Sequence, residues 1–227
     1  MNKMVLSGLL GLALVGLAVP RHVEATPSLQ LFDGSTTITI ADGSGSDLNG
    51  VTGAVTFVGG LDSLWTVNIT SGLTNPVLGS LTVPHLQLAS QDSSSAAGTL
   101  TVMFSEIGFS SLSLPFQAFS GGTAFGTIQY RTYIDTSNTL FATALGTSTQ
   151  LTDSGSVGPG AFSNNQSTGA IGGAGPFSLT QVFTITHNAA GASQTTGVLT
   201  VPEPTSLVLL GLALIGLAYW GRKMART

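Results

Sequence analysis

Polar and apolar residues alternate with period two through most of this chain. Thr36-Thr37-Ile38-Thr39-Ile40 sets the pattern, and Trp65-Thr66-Val67-Asn68-Ile69-Thr70 and Thr99-Leu100-Thr101-Val102-Met103-Phe104 repeat it. Thr127-Ile128-Gln129-Tyr130-Arg131-Thr132-Tyr133-Ile134 continues it, and Phe183-Thr184-Ile185-Thr186 closes it. Period two with Thr and β-branched residues predicts half-buried strands. Turn clusters punctuate them: Asp42 to Ser46, Val58-Gly59-Gly60, Ser90 to Ser95, and Ser120-Gly121-Gly122. No internal stretch carries a 3.6-residue period. The pattern predicts roughly nine to eleven strands, each with one apolar face, and therefore a single all-β sandwich. Its predicted core is Ile38, Ile40, Val55, Phe57, Trp65, Val67, Ile69, Leu100, Val102, Phe104, Ile128, Tyr130, Ile134, Phe183 and Ile185. A jelly-roll-like, immunoglobulin-like or irregular sandwich all remain open; the lack of paired cysteines tilts toward the first or last. Thr152 to Pro176, rich in Gly, Ser and Asn, reads as a long loop, and Asn188 to Thr196 as a shorter one. The last strand, near Gly197 to Val201, runs almost directly into Pro202.

The pattern breaks at both ends. Near the N-terminus, Lys3 precedes an apolar run from Val5 to Val19, and Val23-Glu24-Ala25 has the form of a cleavage site. Residues 1–25 therefore read as a signal peptide, cut by signal peptidase between Ala25 and Thr26. At the other end, the apolar run Ser206 to Trp220 leads to Arg222, Lys223 and Arg226. The segment 206–221 reads as a membrane helix, with the basic tail 222–227 held on the cytoplasmic side. As a helix it would cover roughly 24 Å against a hydrocarbon core of about 30 Å, which suits a transient anchor at least as well as a lasting one. Leu9 to Ala18 recurs as Leu209 to Ala218 with only Val15 and Ile215 differing. Oppositely placed cations put everything between the two copies outside the cytoplasm. The organisation is thus signal peptide 1–25, β-sandwich 26–200, and sorting and anchor segment 201–227.

Between Thr26 and Thr200 the only Lys or Arg is Arg131. Against it stand Asp33, Asp42, Asp47, Asp62, Asp92, Glu106, Asp135 and Asp153. So sparse and acidic a domain has no means of gripping nucleic acid, and ion pairing to an anionic polysaccharide is disfavoured. Its Ser, Thr, Asn, Gln and Gly surface suits neutral sugars, a hydrated matrix or self-association. The chain has no cysteine, so it has neither disulfide nor thiol chemistry.

Candidate chemistry is thin. Asp42, Asp47 and Asn49 in a Gly-rich loop, with Asp33 beside them, are candidate calcium ligands, though the spacing is not that of an EF-hand. His85 and His187 read as strand-end or surface histidines. Glu106 and Asp135 could be a carboxylate pair for glycoside hydrolysis, but Arg131 is the expected neighbour of either. Gly43-Ser44-Gly45 departs from the Gly-x-Ser-x-Gly elbow and precedes no helix. Trp65 alternates in phase with Val67 and Ile69 and is expected inside; Tyr130 and Tyr133 give no clear exposed sugar platform. No enzymatic activity and no obligatory cofactor are expected.

Val201-Pro202-Glu203-Pro204, the apolar segment and the terminal basic cluster together resemble the PEP-CTERM sorting signal of Gram-negative, exopolysaccharide-producing bacteria. The resemblance covers residues 201 to about 226. It implies processing near Pro-Glu-Pro by an exosortase, then release to the cell surface or extracellular matrix. The expected role of the domain is structural or adhesive. The alternative is a carbohydrate-binding module of the matrix, with or without calcium assistance. Its expected partners are exosortase, signal peptidase, the membrane and extracellular polysaccharide.

Overall fold

The computed structural model describes residues 26–110, 115–143, 148–171 and 175–202, and Ile215. The predicted signal peptide, the membrane segment apart from Ile215, Glu203, Pro204 and the basic cluster lie outside the described residues.

Twelve strands follow in order: β1 (Ser28–Phe32), β2 (Thr37–Ala41), β3 (Ala54–Leu61), β4 (Trp65–Leu73), β5 (His85–Ser94) and β6 (Gly98–Phe109). Then come β7 (Pro115–Ala124), β8 (Thr127–Asp135), β9 (Ser148–Val157), β10 (Gly160–Ala170), β11 (Phe177–His187) and β12 (Gly191–Thr200). They form two six-stranded sheets, ordered β2-β1-β6-β11-β8-β9 and β10-β7-β12-β5-β4-β3. All pairings are antiparallel.

The last eight strands nest like a folded hairpin: β5 pairs β12, β6 pairs β11, β7 pairs β10, and β8 pairs β9. Successive pairs alternate between the sheets. This is the double-sheet jelly-roll arrangement, widened by β1–β2 on one sheet and β3–β4 on the other.

The expected core forms. Ile40, Val55, Trp65, Val67, Leu100, Val102, Phe104, Ile128, Tyr130, Ile134, Phe183 and Ile185 are all buried. Ile38 and Phe57 are half-buried and pack against them. The side chain of Ile69 lies outside the described ones. Tyr133 is buried too, although it points away from the Ile128–Tyr130–Ile134 face. Inward glycines make room for aromatics of the opposite sheet. A Cβ on Gly72 would lie 2.2 Å from the Phe104 ring, and one on Gly197 would lie 2.6 Å from Tyr130.

Four expectations are corrected. Thr152 to Pro176 is mostly strand: it holds the end of β9 and all of β10, and stops one residue before β11. β9 and β10 are the outer strands of their sheets, so they carry polar side chains to solvent while their backbones pair with β8 and β7. Asn188 to Thr196 is not a loop beyond residue 190, because β12 begins at Gly191 rather than near Gly197. Ser120-Gly121-Gly122 and Gly59-Gly60 lie within β7 and β3 instead of turns. A Cβ on Gly122, whose φ is 152°, would meet the Gln194 carbonyl at 2.0 Å. Glycine there marks a close strand approach rather than a chain reversal. Ser90 to Ser94 is strand because its inward residues Ser90, Asp92 and Ser94 are buried polar groups, which hides the period-two signal.

Candidate functional site

The outer face of the β10-β7-β12 sheet carries a shallow groove of about 710 Å³. Register places its walls. Val198 of β12 lies opposite Phe119 of β7, and Phe119 lies opposite Asn165 of β10. One row away, Thr196 faces Gly121 and Gly121 faces Ser163. Gln194 and Thr123 form the third row. Small residues in the middle row make a floor between two taller rows. Phe119, 37% exposed, offers an apolar ring; Asn165 and Gln194 offer exposed side-chain amides. None of these three side chains has a hydrogen-bond partner among the described residues. The groove contains no charged residue. Flat amides beside an aromatic ring can hydrogen-bond hydroxyls and cover a C–H face. Sequence reading missed this site because its central glycines resembled a turn and β10 resembled a loop; the alternation Phe119-x-Gly121-x-Thr123 was its one local trace.

The Asp42–Gly50 loop is closed by its own hydrogen bonds. Asp42 Oδ2 accepts the Gly53 N–H at 2.7 Å. Asp47 Oδ1 accepts the N–H groups of Asn49 and Thr56, each at 2.9 Å, and its Oδ2 accepts that of Gly43 at 3.1 Å. Asn49 Oδ1 accepts the Val51 N–H at 3.1 Å. Asp33 instead caps the β1–β2 turn through Ser35 and Thr36, and these amides hold its carboxyl below the usual range. These oxygens organise two separate turns. Among the described residues, no three His, Asp or Glu side chains converge on one point.

Arg131 pairs with Asp153 of β9 at 3.1 Å, and not with Glu106 or Asp135 as expected. The reason is facing: Arg131 points outward from β8 toward the sheet-edge strand, whereas Glu106 and Asp135 are buried. Glu106 accepts a hydrogen bond from Thr74, and Asp135 accepts the Thr139 N–H at 3.0 Å. Burial pushes Glu106 up to about 8 and Asp92 to about 7, so both favour the neutral form.

His187 ends β11, as a strand-end histidine should, but it is buried rather than on the surface. Its Nδ1 meets Ser94 Oγ and its Nε2 meets Ser193 Oγ, each at 2.8 Å. Its ring packs 4.9 Å from Trp65 and 5.4 Å from Phe125. Desolvation lowers its pKa, so it is a neutral bridge between β5, β11 and β12. His85, half-buried at the start of β5, is lowered by the same cause.

The C-terminal end of the domain is tied down. The Val201 N–H donates to the Pro84 carbonyl at 3.2 Å, and Val201 is buried. The fold thus reaches the first residue of the sorting motif, with no stalk between.

Residues 200–223 match the family model of the PEP-CTERM protein-sorting motif. The motif is the recognition signal for exosortase and marks an exported protein that is processed at the membrane. No curated protein matches the chain. Among solved structures, a carbohydrate-binding module from the β-sandwich superfamily is similar at 12% identity and a TM-score of 0.36, covering 76% of this chain and 72% of that one. The enzymatically active domain of bacteriophage CBA120 tailspike protein 4 is similar at 9% identity and a TM-score of 0.30, over 72% of this chain and 21% of that one. YcfD, a ribosomal oxygenase from Escherichia coli, is similar at 9% identity and a TM-score of 0.25, over 87% and 45%. Likenesses this distant carry no functional argument.

Proposed function

We propose that this chain is a non-catalytic adhesive protein of the cell surface or extracellular matrix, which holds neutral polysaccharide in the groove of the β10-β7-β12 face. The carrying observation is the groove's lining: the Phe119 ring beside the amides of Asn165 and Gln194, with no charge. Such a lining discriminates against ionic ligands, which would lose hydration without gaining a counter-charge. It favours a ligand of hydroxyls and C–H faces. A groove open along one face suits an extended chain rather than a small enclosed molecule. The paired state of Arg131 supports the same choice, since the domain's one cation is already matched by Asp153.

Calcium has no part in the reading, because Asp42, Asp47 and Asn49 serve as acceptors for nearby backbone amides and no three His, Asp or Glu side chains among the described residues converge on one point. The test is retention of the detergent-solubilised chain on insoluble neutral glucans and mannans, compared with Asn165→Ala and Gln194→Ala variants. Retention that survives EDTA and falls in both variants supports the proposal. Retention unchanged in the variants removes the groove from it.

A further inference from the structure

Both ends of the domain emerge at the same pole of the sandwich. β12 runs from Gly191 to Thr200 and lies antiparallel to β5, so Thr200 sits beside His85. Ser28, the first residue of β1, pairs with Ser105 toward the end of β6, where Ser110 N–H bonds to the Leu81 carbonyl. Loops 42–53 and 74–84 lie at this pole, as do the connections that follow β6, β8 and β10. The first two touch: the Thr74 N–H donates to the Gly53 carbonyl at 2.8 Å, and a Cβ on Gly53 would lie 2.5 Å from the Asn75 carbonyl.

These two loops expose aliphatic side chains. Leu48 is 65% exposed, Val51 57%, Val77 41% and Val83 38%. Residues 74–84 contain no charge. The backbone of that loop is bonded internally: Leu78 N–H to Thr74 O at 2.8 Å, Ser80 N–H to Val83 O at 2.9 Å, and Val83 N–H to Ser80 O at 3.2 Å. An apolar, uncharged tip whose backbone is partly bonded internally can enter the hydrated headgroup region, where water serves the remaining groups. The acids of the neighbouring loop, Asp42 and Asp47, are turned onto their own amides.

The leash is short. Val201 is fixed to Pro84, and the apolar run begins at Ser206, so five residues extend at most about 17 Å. We infer that this pole rests on the bilayer, with Leu48, Val51, Val77 and Val83 entering the headgroup region of a lipid surface while the tail is anchored. This rests on the reading of residues 206–221 as membrane-inserted. The lipid contact holds the domain in one orientation and presents the Pro-Glu-Pro segment at the membrane face.

The chain has no cysteine, so single-cysteine variants label at one place. The signal-cleaved chain, residues 26–227, is reconstituted into phosphatidylcholine vesicles with an environment-sensitive fluorophore at Leu48→Cys, Val77→Cys or, on the opposite pole, Phe125→Cys. Co-flotation with the vesicles reports tail insertion separately. The expected result is at least two-fold stronger quenching by spin-labelled lipid at 48 and 77 than at 125. A second arm labels Val83→Cys in a Leu48→Asp, Val77→Asp background, where quenching should drop to the level at 125. Equal quenching at all three sites in floating vesicles overturns the inference, as does an unaltered signal at 83 in the second arm. Quenching or shielding at 48 and 77 that develops only when exosortase is added assigns the surface to a protein partner and also overturns it. Failure to float overturns the anchor reading, and the inference with it.

Discussion

Two buried carboxylic acids make the stability of this domain sensitive to alkali. Glu106 and Asp92 are inaccessible to solvent, and each has one oxygen without a hydrogen-bond partner among the described residues. Burial raises Glu106 to about 8 and Asp92 to about 7, from ordinary values of 4.5 and 3.8. For a group raised on folding, the stabilising contribution is complete below the unfolded pKa. It disappears as pH climbs through the folded one. The histidines act in the opposite sense: His85 and His187 are lowered, so they destabilise as pH falls through the ordinary histidine range near 6.5. Above pH 6.5 their opposing effect is at most about 0.4 kcal/mol each, RT ln 2 at half-titration of the unfolded imidazole, so the carboxyls dominate. Between pH 6.5 and pH 8.5, linkage gives a loss of roughly 2 kcal/mol from Glu106 and roughly 1 kcal/mol from Asp92. That sum of about 3 kcal/mol is a large share of the stability of a typical domain. Urea denaturation of the chain at the two pH values, followed by tryptophan fluorescence, measures it, because Trp65 is a core reporter. Glu106→Gln should remove about two thirds of the slope and Asp92→Asn about one third, each variant carrying a neutral side chain of nearly the same shape. Equal stability at both pH values would refute the reasoning, as would a slope that survives in the double variant.

Three further outcomes are expected. Phe119→Ala should weaken glycan retention by up to about 20-fold, from roughly 75 Å² of ring surface at about 25 cal/mol/Å², while Gly121→Leu should fill the groove floor and abolish retention; solid-phase binding with circular dichroism as the folding control checks both. Gly197→Ala should cost about 1–3 kcal/mol and lower the melting temperature by roughly 5 °C, because its methyl group would press on the Tyr130 and Phe183 rings; an unchanged melting curve would show that the rings move aside freely. Replacing Pro202, Glu203 and Pro204 by alanines should leave an unprocessed, membrane-bound form, and an unaltered mature mass in the culture fluid would contradict the processing assignment.

Sequence alone determined the class of this protein wherever one side chain in two faces a dry core. Thr37–Ala41, Gly98–Phe104 and Thr127–Ile134 announce themselves because burial and backbone pleat share a period. It also determined the sorting motif, whose meaning lies in linear order and needs no fold. Tertiary structure decided the rest, for identifiable reasons. β10 is recognisable as strand only beside β7, since an edge strand of Gly, Ser and Asn draws its order from its partner's backbone. Ser90, Asp92 and Ser94 resemble a turn until the opposite sheet covers them. Arg131 chose Asp153 because the pleat turns it outward, a choice invisible without register. The groove is the clearest case: Phe119, Asn165 and Gln194 come from three strands far apart in sequence, and only the nesting of β7 between β10 and β12 makes them neighbours.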